Sequence, residues 1–175
     1  ALWVGGSLAT TSFICQSSGS PLQVKVEYDI VDPMICFTLS ADCGYPCWLG
    51  IGFNKAHTDP SQTNPMRYAD YYVALFNDTG EFFGIYDMYM QASTPPAADT
   101  SFQCALNAIS PPYTASQIDG VTTFSFCRLL DTGDSCDQSL ALETSVLCAH
   151  GQSNTFSYHG SSNRAYMPSY NFTLS

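Results

Sequence analysis

Eight cysteines, three histidines and five methionines are the residues of this chain best able to bind a metal or to change oxidation state. The cysteines are Cys15, Cys36, Cys43, Cys47, Cys104, Cys127, Cys136 and Cys148. An even count in a chain of 175 residues reads as four disulfides made in an oxidising compartment. That use removes them as zinc thiolates. Cys127 and Cys136 flank the turn-rich Asp131-Thr132-Gly133-Asp134, so a local bridge between them is expected, and the other pairings stay open. The histidines are His57, His150 and His159. Neutral imidazole is the commonest metal ligand, and each of the three could equally be an ordinary hydrogen-bonding side chain. Serine hydrolysis has no support, because the G-x-S-x-G elbow is missing. No glycine-rich loop has the form that cradles phosphate. Ala1 stands where a copper oxygenase with an N-terminal histidine would need that histidine.

The segments that must position these groups are short, rich in Val, Ile, Phe, Tyr and Thr, and broken by Gly, Pro, Asn and Asp. That is the pattern of a sandwich or barrel of many strands. Leu22, Val24, Val26 and Tyr28 fall on one face of a strand, with Gln23, Lys25 and Glu27 on the other. Met34 to Leu39 follows as the next strand. Leu49, Ile51 and Phe53 share a face of the next, and the glycines opposite them admit another backbone or a flat ligand. Tyr71–Asn77 and Glu81–Met90 read as a hairpin closed by Asp78-Thr79-Gly80. Further strands are expected over Gly120–Leu129, Ser145–His150, Asn154–His159 and Tyr170–Leu174, roughly ten in all. The main irregular stretches are 54–65 and 91–100. Nothing marks a linker or a repeat, so residues 1–175 read as one domain.

Net charge is −10, from fifteen carboxylates against Lys25, Lys55, Arg67, Arg128 and Arg164. Such a balance argues against a phosphate backbone and against anionic lipid as partner. No apolar run approaches the ~20 residues of a spanning helix, so direct membrane insertion is not expected. The start at Ala1 and the cysteine count fit a mature secreted chain. The sequons Asn77-Asp78-Thr79 and Asn171-Phe172-Thr173 agree with it and make Asn77 and Asn171 candidate glycosylation sites.

Three motifs then fall in order. Trp48-Leu49-Gly50-Ile51-Gly52-Phe53 precedes Met66-Arg67-Tyr68-Ala69-Asp70, and Phe124 to Asp134 follows with Arg128 inside it and Asp137 just beyond. Asp87 and Tyr89 lie between. This order resembles the DOMON domain, in particular haem-binding cytochrome domains of the cellobiose dehydrogenase type. The resemblance implies an all-β, immunoglobulin-like sandwich in two sheets. It also implies one non-covalent haem b, held between a loop methionine and a histidine near the C-terminus. Met66 and His159 occupy the matching places, with His150 as runner-up and His57 third. A Met–His pair is a standard axial set that raises the haem potential. A methionine before a strand also serves as an adaptable core filler, and both roles are open for Met66. Phe53, Tyr68, Tyr71, Tyr158 and Tyr166 are candidate slot walls. Arg67 and Arg164 are candidate propionate partners, or partners of a local carboxylate such as Asp70. Cys43-Gly44-Tyr45-Pro46-Cys47 lacks the C-x-x-C-H pattern of covalent attachment.

The function implied is one-electron transfer outside the cell, with no substrate turnover of its own. It would work with a redox partner protein or a small electron carrier, and the oligomeric state is left open. Two other functions fit the same composition: a haem-free carbohydrate-binding or adhesion module, and a structural subunit of an extracellular assembly. The fold alone does not choose among them.

Overall fold

The computed structural model describes residues 10–16, 21–55, 65–90, 95–102, 104 and 109–173. Eleven strands among them form two antiparallel sheets. The strands are β1 (Thr11–Cys15), β2 (Val24–Val31), β3 (Met34–Asp42), β4 (Leu49–Lys55), β5 (Asp70–Phe76) and β6 (Phe82–Tyr89), then β7 (Ala97–Ala98), β8 (Ser110–Ile118), β9 (Val121–Leu129), β10 (Thr144–His150) and β11 (Arg164–Tyr170). One sheet has the order β1-β2-β3-β9-β8 and the other β11-β10-β4-β5-β6-β7. The only helical turn among the described residues is a 3-10 turn at Asp99–Phe102.

Period-two alternation explains how the sheets face each other. Val24, Val26 and Tyr28 of β2, Ile35, Phe37 and Leu39 of β3, and Phe124 and Phe126 of β9 are all buried. They meet Leu49, Ile51 and Phe53 of β4 and Tyr72, Ala74 and Phe76 of β5 in one apolar cluster between the sheets. Phe37 sits at its centre, with ring centroids 5.5 Å from Phe53, 5.4 Å from Phe126 and 5.5 Å from Phe172. Aromatic pairs of this kind add about 0.5–1.5 kcal/mol each beyond their buried area.

All eight cysteines are bridged, as the even count implies. Cys15–Cys148 joins β1 to β10 and so ties one sheet to the other. Cys36–Cys127 links directly opposed residues of β3 and β9, Cα atoms 4.0 Å apart. Cys43–Cys47 closes a short loop, and Cys104 pairs with Cys136. The expected local bridge between Cys127 and Cys136 does not form. Strand register sets Cys127 against Cys36, and this outweighs proximity along the chain.

Five segments differ from the sequence reading, which has neither β1 nor β7. Residues 154–159 are turns and irregular chain, because the Asn154 side chain is taken by two other segments. It donates to Asn77 O at 2.8 Å and accepts from Gln117 Nε2 at 2.7 Å. The last strand lies earlier, at Arg164–Tyr170, and Phe172 beyond it plugs the core. β8 was hidden by Pro111-Pro112, which an edge strand tolerates and a central one does not. Its pairing with β9 is interrupted between Ser110 and Thr114, where those prolines sit. No helix among the described residues is long and apolar enough to cross a membrane.

Candidate functional site

β4 departs from alternation: every residue from Leu49 to Asn54 is buried. A strand buried on both faces has something packed on its outer side as well. Here it is a second apolar cluster, on the face of the six-stranded sheet turned away from the core. Trp48, Ala69, Tyr71, Val73, Met88, Met90 and Leu147 form it, with Met66, Tyr86, Phe156 and Tyr166 packed against it. The two glycines of β4 face this side, and the protein's own side chains use the room they leave. A Cβ on Gly52 would lie 2.6 Å from the Tyr71 ring, and one on Gly50 would lie 3.2 Å from Val73. Gly151 makes the same allowance for the Trp48 indole, where a Cβ would come 2.1 Å from Nε1. Three of the five methionines, Met66, Met88 and Met90, therefore share one face.

Met66 stands in a turn whose backbone is held from several directions. Asn54 Nδ2 donates to Pro65 O at 2.9 Å and to Arg67 O at 2.8 Å. The Tyr71 hydroxyl donates to Met66 O at 2.8 Å. Tyr68 N donates to Met90 O at 2.6 Å, and Met90 N to Ala69 O at 3.2 Å. Tyr68 has φ 63°, a left-handed conformation that a bulky residue adopts only when its surroundings impose it. Burial, and then the charge of Asp70, push the Tyr71 phenol above its ordinary range, so it remains a donor.

His159 is buried, at 5% exposure. Its Nδ1 lies 2.5 Å from Gly160 O, which fixes that nitrogen as the protonated one. Nε2 then carries a lone pair, and it is buried without a hydrogen-bond partner. Burial lowers the His159 pKa, and the charges of Arg164 and His150 lower it further, against the opposing Gly160 hydrogen bond. The result is a neutral imidazole with one bare buried nitrogen, backed by a backbone carbonyl on the other. Metal-ligating histidines have this arrangement.

A testable pH dependence follows. The unfolded chain takes up a proton at His159 near the ordinary pKa of about 6.5, whereas the folded protein resists it. Between those two values the unfolded state binds more protons, so stability falls as pH is lowered. Denaturant unfolding of wild type and His159→Gln between pH 7.5 and 5 should show a loss that is smaller in the variant. Parallel profiles for the two proteins would contradict it.

The other predicted site residues are dispersed. Phe53 is in the core between the sheets, on the opposite face of β4 from the outer cluster, and does not line a slot with Met66. Tyr166 and Tyr71 do join that cluster. Tyr68 and Tyr158 are exposed, at 51% and 71%, the first beneath the Arg67 guanidinium at 4.8 Å and the second with its ring 4.7 Å from that of His159. Arg164 alternates with core-facing Ala165 on β11 and so points to the outer face, while Arg67 is exposed beside Met66. His150 lies against Tyr45, and its nearest potential co-ligands, Cys43 and Cys47, are disulfide-bonded. His57 lies outside the described residues. Sequence reading missed Asn54, whose one signal is a polar residue directly after the apolar-and-glycine run Leu49–Phe53.

Asp70 pairs with neither Arg67 nor Arg164. It meets Arg128 of the other sheet, Oδ2 to Nη1 at 2.7 Å, with both side chains essentially fully buried. The guanidinium fork is completed by Leu129 O at 3.1 Å and Gln138 O at 3.0 Å. Tyr72 OH donates to Asp70 Oδ2 at 3.2 Å and Gln138 N to the same oxygen at 3.3 Å. Asp87 and Asp137 bring carboxylate oxygens within 4.8 Å of that of Asp70. Burial pushes the Asp70 carboxyl up, and Arg128 opposes that shift.

The family model of the DOMON domain matches residues 19–151. The chain belongs to the DOMON family. Four charged residues in and around its motifs, Asp70, Asp87, Arg128 and Asp137, thus converge in this DOMON domain on one buried knot between the sheets rather than on the outer face. The match takes in Met66 and ends before His159. No curated protein matches the sequence. Among solved structures, the fold is similar to the cytochrome b domain of pyranose dehydrogenase from Coprinopsis cinerea. The TM-score is 0.55 at 10% identity, over 94% of this chain and 84% of that one.

Proposed function

We propose that this DOMON domain holds one non-covalent haem b between Met66 and His159 and passes single electrons in an oxidising, extracellular setting. The observation that carries the reading is the bare, buried Nε2 of neutral His159. A buried polar atom without a partner costs about 1–3 kcal/mol, and a ligand that accepts its lone pair recovers that cost. The outer cluster adds apolar side chains of the kind a porphyrin packs against, with the Met66 thioether beside them. The similarity to a cytochrome b domain and the DOMON match support the same assignment.

When bound, the haem would supply a one-electron couple, whose potential Met66 and His159 as its ligands would hold high. The protein's own groups do the rest. His159 offers Nε2 with its ring oriented by Gly160 O. Met66 offers Sδ from a backbone-pinned turn. Leu147, Met88 and Phe156 exclude water beside it, which raises the weight of every charge nearby. Arg67 and Arg164 would be the cations that meet the haem carboxylates. Only electrons would be exchanged, with a protein or small carrier, so no substrate-converting residue is assigned.

Absorbance tests the reading directly. Purified protein, as isolated and after addition of haem, should give a low-spin Soret band and, on reduction, a sharp α band. A protein that stays colourless after haem addition overturns it. One observation would then favour a carbohydrate-binding module: Phe83 is 69% exposed and lies nearly parallel to Tyr86, with ring planes 12° apart. Such a surface suits stacking against a sugar ring.

A further inference from the structure

We infer that Asn54 and Tyr71 form a clamp that presents the Met66 thioether in a fixed pose before any cofactor arrives. This rests on the haem reading above for its purpose, but its geometry stands by itself.

Three consecutive carbonyls, those of Pro65, Met66 and Arg67, each accept a hydrogen bond from one of two side chains on neighbouring strands. Asn54, from the end of β4, takes the outer two through a single Nδ2, at 2.9 and 2.8 Å. Tyr71, from β5, takes the middle one at 2.8 Å. Both polar atoms of the Asn54 side-chain amide are used, since its Oδ1 also accepts from Lys55 N at 2.8 Å. Its backbone carbonyl is engaged in turn by the hydroxyls of Thr144 and Ser145 on β10. The residue is buried at 7% exposure, so these bonds face no competition from bulk water. Tyr71 is locked as well, because its ring fills the space above Gly52. β10, β4 and β5 thus lend their rigidity to the turn at Met66. Neither side chain touches a reacting atom; both act through Met66 and are positioning residues.

The consequence is specific. A thioether is a weak ligand, and its bond to iron survives competition only if the chain does not have to be ordered each time it forms. Losing an outer-shell partner of this kind typically costs about 10–100-fold in metal affinity or activity. Asn54→Asp keeps the shape and the acceptor for Lys55 N but replaces the donor with a carboxylate facing two carbonyls. Tyr71→Phe keeps the ring over Gly52 and removes one hydrogen bond.

In the haem-loaded proteins, both variants should retain the His159 bond and the Soret band. Asn54→Asp should lose the thioether-to-ferric charge-transfer band, lower the potential, and let exogenous imidazole displace Met66 at roughly tenfold lower concentration or less. Tyr71→Phe should show a smaller shift in the same direction. In the haem-free proteins, the Met66 methyl resonance, carbon-13 labelled, should be single and dispersed in wild type and collapse toward the unfolded position in Asn54→Asp. Wild-type band, imidazole sensitivity and methyl resonance in both variants would overturn the clamp and leave the haem reading intact. If wild type binds no haem, the haem reading fails and the methyl resonance alone decides the clamp. If Asn54→Asp does not fold, Tyr71→Phe decides by the same measures.

Discussion

Alanine at position 159 is expected to leave a folded protein that no longer holds low-spin haem. The loss in haem affinity should exceed the roughly 10–100-fold that follows removal of an outer-shell partner, since the strong nitrogen ligand itself is gone. Any haem that remains should be high-spin. Haem-free stability should change little, because truncation also removes a buried nitrogen that had no partner. Wild type should be stabilised by haem through mass action, by about 2.7 kcal/mol at 100 times Kd, and the variant should not. His150→Ala serves as the comparison and should keep the wild-type spectrum. Its ring already donates Nδ1–H to Gly151 O and packs on Tyr45. A low-spin spectrum in His159→Ala together with loss of haem in His150→Ala would move the assignment to His150. Met66→His should keep the haem and lower its potential, since a second imidazole favours ferric iron over the thioether it replaces.

The second large effect concerns stability. Arg128→Leu should destabilise the fold by about 3–5 kcal/mol, the usual consequence of removing one partner of a buried ion pair. For a chain of this length that corresponds to a fall of about 6–20 °C in Tm. The reason is the company Arg128 keeps. Its guanidinium meets Asp70, whose carboxylate has those of Asp87 and Asp137 within 4.8 Å, and without it the Asp70 carboxylate has no cation to meet its burial. Arg128→Lys should recover only part of the loss. A lysine ammonium restores charge but not the planar fork that reaches Asp70 Oδ2, Leu129 O and Gln138 O together. Thermal unfolding followed by circular dichroism measures this, and a loss below about 1 kcal/mol for Arg128→Leu would contradict it. Haem binding should be retained at temperatures where the variant is folded, which separates the knot from the outer-face site.

Much of the fold could be read from residue order alone. Alternation along Leu22–Tyr28, Leu49–Phe53 and Phe124–Phe126 specifies which side chains enter the core, because a strand turns successive residues to opposite faces. The even cysteine count implies complete pairing. Met66 and His159 are singled out as candidate ligands only through the resemblance of the motif order to the DOMON domain, since residue type alone leaves five methionines and three histidines. Pairing and placement could not be read this way. Cys127 finds Cys36 because β3 and β9 align in register, a contact 91 residues apart in sequence that no local turn signal reports. Phe53 alternates onto the core face, so the same strand that fixes it there gives its glycine face to Tyr71. Asp70 chooses Arg128 over the nearby Arg67 because folding buries the first pair together and leaves Arg67 exposed to water. Asn54 gains its role only when β4 and the turn at Met66 are brought side by side. Composition and periodicity determine the chemistry available and the face each residue takes. Which of those groups meet is decided by long-range packing, whose cost in chain entropy is met by burial across the whole sandwich.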